Sequence, residues 1–198
     1  MAIATTENEA TLSVSDEFSK TIKSQNIKIV LTEDYLPEEQ DFRTSILRIK
    51  QKNPNAVMVC LLPNQLGLFL KQLRAIQPKV LVVGCATMES EHAAKVASGA
   101  MNGVFYGMSS TDEAFQRDYQ KEYGHQPEMT AGTVYDIIHM IALAAAKVGH
   151  DPDALNKKFH SLKDFKGVLG TYSAAPASEF TVPGHLKIVE DYEFRRVR

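Results

Sequence analysis

At 198 residues with 44% hydrophobic side chains, the chain is long enough for one domain, or two modest lobes, around a sizeable core. Its formal net charge of −2 comes from 24 acidic and 22 basic residues with no block of either sign, which removes the electrostatic reason to expect nucleic acid as a partner. The longest apolar stretch, near Ile137 to Val148, is interrupted by His139 and Lys147 and falls short of the roughly 20 residues of a spanning helix, so no membrane insertion is expected.

Ala2 to Thr6 reads as a short strand and Thr6 to Thr11 as a polar loop. A helix from about Leu12 to Ser24 follows, with Val14, Phe18 and Ile22 on one face. Ile27 to Leu31 is apolar enough for a buried strand. The stretch from Asp41 to Arg74 then holds a helix, a strand and a helix with a signal at each joint. Phe42, Ile46 and Ile49 recur at helical spacing, with Asp41 placed to cap the free amides. Asn53, Pro54 and Asn55 break that helix. Ala56 to Leu62 is an unbroken apolar run, as a strand covered on both faces requires. Pro63 and Asn64 end it, and Leu66, Phe69, Leu70 and Leu73 resume the helical stripe. Lys79 to Gly84 is another strand, Cys85 to Ser90 a loop, Ser90 to Ser98 a short helix and Gly103 to Tyr106 a further strand. Such alternation predicts an α/β fold: a parallel sheet with helices on both faces and right-handed crossovers.

From Thr111 helices follow one another without strands between them. Thr111 is placed to cap a helix carrying Phe115 and Tyr119 and closed by Gly124. Val134, Ile137, Ile138, Ile141 and Ala145 form the stripe of a longer helix ending at Gly149. Asp151 and Pro152 are a cap followed by proline, opening a helix with Leu155, Phe159 and Leu162 on its buried face. Val168 to Ser173 and Leu186 to Val189 read as short strands. Apolar helix faces this large need a sheet to cover them.

The chain has two cysteines, Cys60 and Cys85, each in or just after a predicted strand. A buried thiol acting as a small hydrophobe is the simple reading, and in an oxidising compartment the two could also be bridged. No charged segment followed by a long apolar one precedes the first strand, so no signal peptide is expected and the chain reads as cut from a longer one. The six histidines show no metal-ligand spacing and no glycine-rich phosphate loop follows a strand, so neither metal nor cofactor is expected.

Several local features, in this order, resemble the carboxyl-terminal half of type I periplasmic solute-binding proteins, the branched-chain amino acid binding group of the ABC transporters. They are Asp41-Phe42, Asn53-Pro54-Asn55-Ala56, Gly103-Val104-Phe105-Tyr106, Phe115 with Tyr119 and Tyr123-Gly124, Tyr135-Asp136, and Phe165-Lys166-Gly167 with Gly170. The resemblance implies one lobe of a two-lobed fold plus helices of the other lobe. Residues 1–106 match the second-lobe sheet domain, 107–166 a helical segment of the first lobe, and 167–198 the final crossing strand and terminal segment. It further implies a small-molecule ligand such as an amino acid or amide-like compound, a permease partner for the full-length protein, a periplasmic or extracellular location, and half of the ligand cleft outside this chain.

The family's ligand loops fall on Glu7 to Thr11, Leu62 to Gln65 and Cys85 to Glu89, so the resemblance makes Asn8, Glu9, Ala10, Leu62, Asn64, Thr87, Glu89 and Tyr106 the candidate ligand residues. Asn8 and Asn64 equally suit turns and caps, Thr87 suits a cap, Glu89 suits a helix first turn, and Tyr106 suits hinge packing. Two departures weigh against an amino acid ligand. Ala10-Thr11 stands where the family usually has Tyr-Gly, and Ala86 where an acidic residue often holds an ammonium. A small α/β enzyme using Cys85, Glu89 and His92 is the alternative from another class, since a strand-end cysteine can be activated by helix amides and a nearby imidazole. A ligand-sensing regulator on the same fold is a further one. Finally, the uncovered stripes of the 111–162 helices predict a homodimer or larger species.

Overall fold

The apolar run at Ala56–Cys60 forms β3, all five residues of which are buried. A computed structural model describes residues 1–128, 130–175 and 179–197. The chain forms two compact units, Met1–Met108 with Leu186–Arg198, and Ser109–His185.

In the first unit β1 (Ala2–Thr6), β2 (Leu31–Tyr35), β3, β4 (Leu81–Gly84) and β5 (Phe105–Met108) run parallel, while β9 (His185–Glu190) pairs with an antiparallel β10 (Glu193–Arg196). The strand order is β10-β9-β5-β4-β3-β1-β2. Helices α1 (Glu9–Ser24), α2 (Arg43–Gln51), α3 (Pro63–Ile76) and α4 (Glu91–Ala97) fill the connections. Strand alternation divides the core by face. Ala2, Ala4, Val57, Val59 and Val82 pack with Phe42, Ile46, Ile49, Leu66, Phe69, Leu70 and Leu73 of the α2 and α3 region. Ile3, Met58 and Cys60 point to the opposite face, where Phe18 of α1 covers them. Tyr35, Phe42 and Phe69 meet at centroid distances of 4.9–5.7 Å, mostly edge to face, the arrangement their quadrupoles favour. The α/β architecture with helices on both sheet faces is therefore as expected.

The predicted strand at Ile27–Leu31 is displaced: β2 begins at Leu31. β2 is the sheet's edge, so it alternates between exposed and covered side chains and carries Thr32, Glu33 and Asp34; the unbroken apolar run that marks a strand covered on both faces is not its signature. Val14, expected on the buried face of α1, is exposed; Ile22 is buried as expected, together with Thr11 and Ser15. Asp41 accepts the Arg43 amide at 3.2 Å, although the helix starts only at Arg43.

The second unit contains α5 (Glu113–Tyr123), α6 (Ala131–Val148), α7 (Pro152–His160) and a small sheet of β6 (Phe165–Gly167), β7 (Gly170–Ala174) and β8 (Phe180–Thr181). Asp112, not Thr111, caps α5, accepting the Phe115 amide at 2.7 Å; Gly124 closes the helix in the left-handed conformation. Asp151 caps α7 through the Ala154 amide at 2.9 Å. The strand expected at Val168–Ser173 is β7, which begins at Gly170, and it pairs in a hairpin with β6, which precedes the expected range. Leu155, Phe159 and Leu162, expected to be buried, are only half-buried.

α6 is long and apolar enough, by length and composition alone, to cross a membrane. Within its unit it packs by a polar tie. Asp136 is fully buried and accepts the amides of Val168 at 2.8 Å and Leu169 at 3.1 Å. A Cβ at Gly167 would stand 2.4 Å from the Asp136 carboxylate, so only glycine lets the hairpin approach. The Tyr135-Asp136 and Phe165-Lys166-Gly167 features, separate in sequence, thus meet.

Candidate functional site

The connection from β1 to β2 runs along one sheet face and that from β2 to β3 along the other, so winding reverses between β1 and β3. In open α/β sheets a crevice opens at such a point, outside the strand carboxyl ends. Here a buried hydrogen-bond network holds the strand carboxyl ends at that point. Thr6, at the end of β1, donates its hydroxyl to the Gln65 side-chain carbonyl at 2.7 Å and accepts the Leu62 amide at 3.1 Å. The Gln65 amide group then donates to the carbonyls of Leu36 at 2.8 Å and Glu39 at 3.1 Å. Thr11 donates its hydroxyl to the Thr6 carbonyl at 2.8 Å. Satisfied donors and acceptors of this kind fix a loop geometry that solvent could otherwise remodel.

On this frame Asn8 caps α1, accepting the Ala10 amide at 3.1 Å, and Glu9 occupies the first helical turn. Asn8, Glu9 and Ala10 are all exposed. Leu62 is half-buried just before α3, and the exposed Asn64 reaches the Pro37 carbonyl at 3.4 Å. Thr87 lies in a single 3-10 turn, Ala86–Met88, with its hydroxyl 3.2 Å from the Cys85 sulfur.

Glu89 and Tyr106 come together. The Tyr106 hydroxyl donates to the Glu89 carboxylate at 3.1 Å, and Lys187 from β9 forms an ion pair with the same oxygen. The lysine also lies 5.9 Å from the Tyr106 ring centroid, close enough for a cation–π contribution. Tyr106 sits within the main core, and burial pushes its phenol above the ordinary range. Burial also lowers the Lys187 ammonium from its usual value. With its charge compensated and little of it exposed, Glu89 is not a free carboxylate. Lys187 was missed from sequence. The available signal was period two: Lys187 and Val189 share the inward face of β9, and both are buried. Thr6 and Gln65 were missed because single polar side chains next to turns carry no periodic signal.

The residues of the alternative catalytic reading do not assemble in the same way. The Cys85 sulfur contacts Cys60 and Thr87, while His92 is exposed on α4 and makes no hydrogen bond to it among the described residues. Among the described residues no three His, Cys, Asp or Glu side chains gather as metal ligands would. A hollow of about 760 Å³ in the first unit lies at the opposite, amino ends of β4 and β5. Arg74 fills a structural role there, donating to the carbonyls of Pro78, Val80 and Ala100 at 2.6–3.4 Å. A groove of about 970 Å³ in the second unit is lined by Phe115, Tyr119, Tyr123, Tyr135 and Ile138 among others.

Residues 1–183 match the family described as periplasmic binding protein, and the chain belongs to that family. Its fold is shared with solved structures. One is a leucine-binding protein from Thermotoga maritima, 14% identical with a TM-score of 0.88, covering 100% of this chain and 59% of its own. Another is a branched-chain amino acid transporter substrate-binding protein from Streptococcus pneumoniae in complex with isoleucine, 20% identical with a TM-score of 0.82, covering 99% and 59%. A third is a solute-binding protein of an ABC transporter from Rhodopseudomonas palustris in complex with 3,4-dihydroxybenzoic acid, 23% identical with a TM-score of 0.81, covering 99% and 58%. The chain therefore spans less than two thirds of the length of each.

Proposed function

We propose that this chain forms part of the substrate-binding component of an ABC transporter and takes a small organic solute, such as an amino acid or amide-like compound, at the carboxyl ends of β1, β3 and β4. The observation that carries this reading is the reversal of winding between β1 and β3, where the Thr6, Gln65 and Leu62 hydrogen bonds hold the strand carboxyl ends. Asn8, Glu9 and Ala10 supply one rim, Leu62 and Asn64 a second, and Thr87 the third. Glu89 and Tyr106 act behind them, holding the last loop against β9 through Lys187. Because Lys187 neutralises Glu89, a solute held by hydroxyl and amide groups is favoured over one held by its ammonium.

In this reading residues 1–106 form the second lobe, 107–166 contribute helices to the first, and 167–198 hold the final crossing. The full-length protein works outside the cytoplasmic membrane and delivers its solute to a permease. The exposed apolar face of α6, with Val134, Ile137, Ile138 and Ile141, is covered in this 198-residue chain by pairing of two copies.

Backbone amide shifts recorded while leucine, isoleucine or 3,4-dihydroxybenzoate is titrated into the chain test the site. One lobe can desolvate few solute groups, so the expected affinity is weaker than about 1 mM, with shifts confined to residues 7–11, 62–65 and 85–89. Shifts centred on the aromatic groove of the second unit, or none at those loops with any of the three solutes, overturn the assignment.

A further inference from the structure

Cys60 ends β3 and Cys85 follows β4, and these parallel strands set Val59 opposite Gly84. Extending that register by one residue places Cys60 against Cys85, and both pack with Ile3, Met58 and Val83 on one face of the sheet. Neighbouring strands lie about 4.8 Å apart, within the Cα separation of roughly 4.4–6.8 Å that a disulfide bridges. The two thiols are unbonded, with their sulfurs 2.7 Å apart. Geometry therefore demands almost no movement for a bond to form.

The pair is asymmetric in access and in chemistry. Cys60 is 1% exposed, whereas Cys85 is half-buried and reachable. The hydrogen bond from Cys60, with contacts to Thr87 and backbone amides, outweighs burial and lowers the Cys85 thiol to about 6; the same contact, with burial, pushes Cys60 up. A reachable thiolate beside a protected thiol is the arrangement of an attacking and a resolving cysteine.

We propose that Cys60 and Cys85 are a dithiol that an external low-molecular-weight disulfide oxidises to an intrachain disulfide, and that this bond immobilises the loop from Cys85 to Glu89. The Cys85 thiolate attacks one sulfur of the external disulfide, breaking its S–S bond and releasing one thiolate. Cys60 then gives its proton to solvent base and attacks the Cys85 sulfur, expelling the second. The protein loses two electrons and two protons, and the external disulfide is reduced to two thiols. The loop is already anchored at its far end, where Glu89 meets Tyr106 and Lys187. A bond at Cys85 fixes the near end, so Thr87 is held between two anchors. Any effect on solute binding rests on the proposed site; the bond itself does not.

The test equilibrates the full chain with glutathione disulfide, then counts thiols after denaturation and measures intact mass. Two thiols in the reduced chain, none in the oxidised one, and a mass loss of roughly 2 Da without adduct or dimer are expected. Cys60→Ala should accumulate one glutathione adduct, on Cys85, while Cys85→Ala should stay largely unmodified because its remaining thiol is buried. Hydrogen exchange at 86–89 should slow by about tenfold or more on oxidation. Two free thiols persisting in excess glutathione disulfide, or only mixed and intermolecular disulfides, overturn the proposal for the wild-type chain whether or not either variant folds. Oxidation with unchanged exchange at 86–89 overturns its claim on the loop. Neither readout involves a solute, so failure here and failure of the solute site are distinguishable.

Discussion

The two units of this chain make their local structure by the same means and bury it very differently. Caps at Asn8, Ser90, Asp112 and Asp151 start helices in both. In the first unit those helices close over a sheet whose interior strands β1 and β3 are wholly buried, and the apolar stripe of α3 is fully inside. In the second, the stripe of α6 points outward, while the buried positions of that helix are Gly132, Asp136, Met140 and Ala144. Among the described residues its buried apolar cluster consists of Met140, Leu169 and Tyr172. An amphipathic pattern therefore tells that a helix has an apolar face, and not whether this stretch of chain supplies the surface that covers it.

Core truncation should hurt the first unit most. Leu70 is fully buried between α3 and the sheet, so Leu70→Ala should destabilise by about 2–5 kcal/mol through lost contacts and a residual cavity. Denaturant titration checks the magnitude, and hydrogen exchange in β3 checks the place. The corresponding weak point of the second unit is polar. Asp136→Ala would leave the Val168 and Leu169 amides without their acceptor, at about 1–3 kcal/mol for each that stays buried. Lost protection at Val168 and Leu169, with β3 unchanged, is the expected result. An unchanged midpoint would mean that the carboxylate is not what holds the hairpin.

How much of this was legible in the sequence follows from the same contrast. Phe42, Ile46, Ile49, Leu66, Phe69, Leu70 and Leu73 were found by spacing because each is buried by elements close in the chain. β2 was misplaced because an edge strand is half polar, and β10 was missed because Glu193–Arg196 pairs on one side only and exposes most of its side chains. At the candidate site, the family resemblance pointed to the three loops at strand ends, and Asn8 could be read as a cap. Lys187 opposite Glu89 could not, since 98 positions separate them and only the assembled sheet sets one beside the other. Asp136 was visible as part of a family feature, but its role as acceptor for the hairpin amides needed the fold.

Alkaline pH should also probe the buried phenols of both units. Burial raises the phenols of Tyr35 and Tyr106 in the first unit above their ordinary value; Tyr172 moves in the same direction in the second. Above about pH 10 the unfolded chain gives up these protons while the native chain keeps them. The unfolded state then binds fewer protons, so stability that is fully present below about pH 10 falls as pH rises, by about 1.4 kcal/mol per pH unit for each such phenol. Phenolate absorbance followed alongside ellipticity should show these tyrosines ionising only with unfolding. Tyr106→Phe, which also removes the donor to Glu89, should flatten the decline by about one phenol's share. Ionisation of all tyrosines in a fully native chain would contradict the burial assigned to both units.

The smallest stability effect is expected where the contrast is sharpest. Ile138 is 62% exposed on α6, so Ile138→Asp removes little burial within the chain and should change stability of the monomer by no more than about 0.5 kcal/mol. Its effect on association should be much larger. If two copies pair through Val134, Ile137, Ile138 and Ile141, the substitution puts an unpaired charge at the centre of that contact, and a carboxylate cannot be desolvated there without a partner. Light scattering across a concentration series should then show wild type as a dimer or larger species and Ile138→Asp as a folded monomer. A wild-type chain that stays monomeric throughout would refute the pairing. A variant that loses its fold at low concentration would instead place Ile138 inside the unit's own core, and α6 would then be covered within the chain as α3 is.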